Sequence, residues 1–146
     1  MKRLLKSPAT NAVCLSLFTA FYALVFHFSS GCHDEREYAS WFWQTWGDFL
    51  ASGRQTIISW ALIAVTVLVV VLLATRRRTY DEYHTAILTN CLVVAAVLIL
   101  VAIAVFYLMI LCDPVGIAEK FTLFVVLHWT TVVFADLAYV LLCRWR

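Results

Sequence analysis

Asp136 is the residue best placed to do chemistry, because it stands inside a long apolar run near the C-terminus. A carboxyl at the centre of a membrane helix costs about 2.5–3.5 kcal/mol on insertion scales, so a partner or a function is expected to offset it. His128, Thr131 and Tyr139 share a helical face with it, on an arc of about 140° at 100° per residue. Asn90, in the preceding apolar run, falls at a similar depth when the two runs fold back about residues 113–116. Two readings follow. Asp136 is interhelical glue that accepts hydrogen bonds from Asn90 and a Tyr or Thr, or Asp136 and His128 are the titrating groups of a proton or cation path. The glue reading is preferred, because a single intramembrane pair is thin support for a path.

Five cysteines occur without a C-x-x-C pair. Paired, close thiols are what a thiol oxidoreductase needs to shuttle electrons, so the spacing argues against one. Cys32 and Cys112 fall on the same side of the apolar runs and form a candidate disulfide. Cys14, Cys91 and Cys143 read as small apolar fillers. Cys32-His33-Asp34-Glu35 gathers ligand types on one stretch. Neighbouring side chains there diverge and no second cluster stands at useful spacing, so no metal site is expected. No nucleophile elbow, zinc-protease helix or phosphate loop occurs, so no catalytic residue and no cofactor is expected.

These residues need a scaffold, and composition supplies it. Hydrophobic residues make up 64% of the 146, well above the half that a water-soluble domain carries. Four runs are long enough for the ~20 apolar residues that a bilayer core requires, over about 9–29, 56–74, 86–111 and 118–142. Pro8 suits the first turn of the first span. Asp113-Pro114 with Gly116 reads as a tight turn. The expected fold is all-α: a four-helix transmembrane bundle in a single integral membrane domain, its last three spans antiparallel neighbours. Ala12, Ser16 and Ala20, at i+4 spacing, let another helix approach the first span closely.

Charge gives the orientation. The N-terminal segment, the 76–84 loop and the C-terminus carry eight of the eleven Lys and Arg residues. The positive-inside rule then puts both termini in the cytoplasm of a plasma membrane. The net charge of +2, segregated by loop, excludes a nucleic-acid surface. Ser30-Gly31-Cys32 after the first span resembles a bacterial lipoprotein cleavage site. Ser29 stands where leucine is usual, however, and the apolar run exceeds a signal h-region, so an uncleaved span is expected.

Between the first two spans, Tyr38, Trp41, Phe42, Trp43, Trp46 and Phe49 fall on one side of a helix, an arc of roughly 200°. Asp34 with Glu37 resembles a capping box at its start. An extracytoplasmic interfacial amphipathic helix is expected, its rings acting as anchors at headgroup depth.

Arg76-Arg77-Arg78 followed by Tyr80-Asp81-Glu82-Tyr83, with the overall layout, resembles the small four-span integral membrane proteins of unassigned function found in bacteria. That resemblance implies no active site. The glutamate and arginine patterned helices of four-span glutathione-linked membrane enzymes are absent. The expected function is a non-enzymatic accessory or interaction subunit, in contact with the lipid bilayer and with a membrane protein partner or further copies of itself. The alternatives are a small oligomeric ion- or proton-coupled transporter or channel using Asp136 and His128, and an enzyme of the outer face that acts on thiols or lipids.

Overall fold

The computed structural model describes residues 7–31, 40–75 and 81–144. They form five helices: α1 (Pro8–Ser30), α2 (Trp41–Ala51), α3 (Gln55–Ala74), α4 (Glu82–Cys112) and α5 (Ile117–Arg144). No strand occurs among the described residues. Helices α1, α3, α4 and α5 are each long and apolar enough to cross a membrane. At 1.5 Å per residue even α3, the shortest of them, spans about 30 Å.

The helix ends follow local chemistry. Pro8 occupies the first turn of α1, where the missing N–H has no partner to lose. Helix α4 begins four residues before its apolar run, because Asp81 caps it by accepting the His84 backbone N–H at 2.9 Å. The turn between α4 and α5 closes through Gly116, whose φ of 69° is a left-handed conformation that costs a glycine little. Asp113 completes it by accepting the Val115 N–H at 3.0 Å. Helix α2 starts at Trp41; the helix start expected at Asp34 lies outside the described residues.

Helix α5 is the hub, and the other four helices all pack against it. Helix α1 also packs on α3, with Ala12 buried and Ser16 and Ala20 on an open groove between the two. The core runs along α5 through Val125, Trp129, Val133 and Tyr139, closed by Phe26 from α1 and Val69 and Leu73 from α3. Helix α4 packs on α5, not on α3 as the order of the spans suggests. Residues 75–81 explain this: seven residues reach about 23 Å when extended, enough to pass a helix about 10 Å across. Apart from that seam with α5, α4 presents mostly exposed valine and leucine. An apolar outer surface of this kind is stable in lipid and unstable in water.

Candidate functional site

Among the described residues, three polar cross-links join α1 to its neighbours, and each lies at a different height. The first is nearest the start of α1. Asn11 Nδ2 donates to Asp136 Oδ1 at 3.1 Å, bridging α1 and α5. Asp136 is 3% exposed, and Asn11 is its one hydrogen-bond partner among the described residues. Asp136 also lines a half-open crevice of about 400 Å³ where α1 and α4 flank α5. The crevice walls are Leu15 and Phe18 on one side, Leu88 and Leu92 on the other, and Val132 behind.

The second link runs through the core. Trp129 Nε1 donates to Thr19 Oγ1 at 3.4 Å, and Thr19 and Thr66 hydroxyls meet at 3.1 Å. Thr66 Oγ1 in turn donates to the Leu62 carbonyl at 2.8 Å. A hydroxyl has one proton to give, so Thr66 accepts from Thr19, and the three side chains form a directed chain across α5, α1 and α3. Each donor in it finds an acceptor, which is what burial of such groups demands.

The third link is aromatic. Tyr22 Oη and His128 Nδ1 are hydrogen-bonded. Phe18 stacks on Tyr22 at 4.2 Å between centroids, and Phe124 and Phe18 both lie within 6 Å of the His128 ring. Phe106 extends the cluster to α4 by stacking on Phe124 at 5.0 Å. His128 is two turns from Asp136, about 12 Å along the axis. No hydrogen bond joins the two links among the described residues.

The face drawn from His128, Thr131, Asp136 and Tyr139 is therefore divided by the packing of α5. His128 faces Tyr22 of α1, and Tyr139 is fully buried in the core. Thr131 bonds back to the Leu127 carbonyl at 2.7 Å and lines a second groove, on the other side of the α4–α5 seam. Asn90 lines that same groove with Cys91 and Thr130, so it stands apart from Asp136, whose partner is Asn11 instead. The physical reason is that α4 meets α5 along one edge only, and Asn90 and Asp136 fall on opposite sides of that edge.

At the end of the molecule carrying α2, Lys120 is 2% exposed, and its ammonium is fully satisfied. It donates to the Asp113 carbonyl, to Asp113 Oδ2 at 2.9 Å and to the Val115 carbonyl at 2.7 Å. Three acceptors match its three donors, which makes burial of the charge tolerable. The Lys120 hydrogen bond, followed by the Val115 N–H, holds the Asp113 carboxyl below the usual aspartate range. Helix α2 docks beside this clasp: Trp46 Nε1 donates to the Glu119 carbonyl at 3.1 Å, and Lys120 Nζ lies 5.6 Å from the Trp43 ring centroid.

Among the expected anchors, Trp41 and Phe42 are exposed, while Trp43, Trp46 and Phe49 are half-buried, the last two stacked at 5.5 Å. Tyr38 lies outside the described residues. So does Cys32, the expected partner of Cys112, which is exposed at the end of α4. Among the described residues no group of three or more His, Cys, Asp or Glu could hold a metal ion. Sequence reasoning passed over Asn11, Thr19, Tyr22, Thr66 and Lys120. The available signal was the same for all five: a hydrogen-bonding side chain within an apolar run or beside a turn.

The chain was compared with family models, curated proteins and solved structures, and no match was found in any of the three.

Proposed function

We propose that this chain is a non-enzymatic integral membrane protein that serves as an accessory or interaction subunit. It is an all-α bundle of four membrane-crossing helices in one domain, with both termini and the triple-arginine loop in the cytoplasm. Helix α2 lies in the opposite interface. The count of eight Lys and Arg residues against three supports this orientation. The exposed Trp41 and Phe42 rings of α2 suit headgroup depth. The resemblance of the arginine loop to small four-span bacterial proteins fits the same reading, in a plasma membrane.

The observation that carries the reading is Asn90. It is exposed on the α4–α5 groove, and its side-chain amide makes no hydrogen bond among the described residues. It lies about 12 Å inside the start of α4, within the apolar part of the helix. An amide left bare in hydrocarbon costs about 2–7 kcal/mol, so a second helix that pairs with it gains most of that back. Cys91, Ala95, Ala135 and Ala138 keep the groove shallow enough for such a helix to approach.

Extraction of the full chain from native membranes into lipid nanodiscs, followed by native mass spectrometry, tests this. The expected result is a complex, with a second copy or another membrane protein, that Asn90→Leu dissociates. A wild-type chain that runs alone contradicts it. The transporter reading fares less well, because Asp136 and His128 belong to separate links with Phe18 and Val132 between them.

A further inference from the structure

The crevice at Asp136 is a different feature from the Asn90 groove, on the other side of the α4–α5 seam. Its volume of about 400 Å³ is within the range of small-molecule sites. Its walls are almost wholly apolar, and its polar lining residues are Thr10 and Asn11 at the start of α1 and Asp136, which Asn11 bonds. Among the described residues, Asp136 is the only acidic or basic side chain lining it. A carboxylate has room for about four hydrogen bonds, and Asn11 supplies one of them, to Oδ1. A buried carboxylate facing a cavity with acceptor capacity to spare selects for a cation, and repels an anion.

The position along the helix narrows the choice further. Asp136 is eight residues from the end of α5 and Asn11 three from the start of α1. That puts the pair about 5–12 Å from the helix ends. A ligand with a charged head and an apolar tail fits this depth, its head at Asp136 and its tail along Phe18, Leu92 and Val132 towards the middle of the helices. A hydrated metal ion does not fit, because beyond Thr10 and Asn11 the walls are carbon and the Cys14 thiol, too few oxygens to replace the shell it would shed.

We propose that this crevice binds the ammonium head of an amphiphilic amine, with Asp136 as counter-ion and the walls from α1, α4 and α5 covering the first carbons of its chain. The same chemistry is presented by an aminolipid headgroup and by a free amphiphilic cation.

The test uses the full chain in maltoside micelles, which carry no ammonium group, with decylammonium as probe in equilibrium dialysis. Saturable binding to the wild type is expected. Asp136→Asn should weaken it about tenfold or more, the loss of ~1.4 kcal/mol or more of attraction. Leu92→Phe narrows the crevice without touching the carboxyl and should weaken it as well, so the result does not hang on one variant. Decanol and decyl sulfate should fail to displace the probe. Displacement by lysophosphatidylethanolamine assigns the site to a lipid headgroup, and its failure assigns the site to a free cation. Equal binding by the wild type and both variants, or equal displacement by decanol, overturns the proposal.

Discussion

Asn11 donates to Asp136 across 125 residues of chain, and this one bond ties the first turn of α1 to the last third of α5. It turns a costly intramembrane carboxyl into a point of attachment between the two ends of the sequence.

Removing the donor should loosen that attachment. Asn11→Ala is expected to destabilise the folded chain by about 0.6–1.7 kcal/mol, the range for interhelical hydrogen bonds in membranes. Asn11→Asp should cost more, because it sets a second carboxyl against the first. Denaturation in mixed micelles, followed by circular dichroism, measures both.

The directed chain from Trp129 through Thr19 to Thr66 should behave as a unit. Thr19→Val removes the middle member and strands the Trp129 N–H. Once Thr19 is gone, Thr66→Val should add little. A double-mutant cycle on these two threonines is expected to give a coupling of about 0.5–1 kcal/mol. Strict additivity would mean that the hydroxyls do not bond.

Acid should open the α4–α5 turn. The Asp113 carboxyl is held below its ordinary range, first by the Lys120 hydrogen bond. A carboxyl depressed on folding stabilises the folded form above its unfolded value, and the benefit is lost as pH falls through the folded value. The Val115 amide donates to the same carboxyl, so its hydrogen-exchange protection should drop as pH falls below the aspartate range. In Asp113→Asn that protection should be weaker and flat with pH.

The docking of α2 depends on a ring nitrogen. Trp46→Phe keeps the apolar ring and loses the bond to the Glu119 carbonyl. Protease cleavage between α2 and α3 should speed up several-fold in this variant, while the membrane helices stay intact. An unchanged rate would mean that α2 is held by its rings alone.

The four long helices were legible because a bilayer core demands about 20 apolar residues and few sequences meet that demand by accident. Hydropathy marks the apolar part of a helix rather than its ends, which is why α4 begins at Glu82, where Asp81 can cap it, and not at Ala86. Asp136 stood out from sequence because a carboxyl in an apolar run is costly. Its partner did not, because which helices touch depends on packing around α5. Chain order suggested Asn90 on the adjacent span; the packing brings up Asn11 from the far end of the sequence. The threonines escaped notice for a related reason: a lone Thr within a helix ordinarily bonds to its own carbonyls, as Thr131 does, and only a facing helix reveals a Thr19.

The most direct test of the central claim is the sidedness of four points on the chain. Reporter fusions or cysteine labelling would be placed at the N-terminus, at residues 76–80, at the C-terminus and in the 32–39 segment. The first three are expected on the cytoplasmic face and the fourth on the other. A chain whose C-terminus and triple-arginine loop report from opposite faces would contradict the four-crossing arrangement and the functional reading built on it.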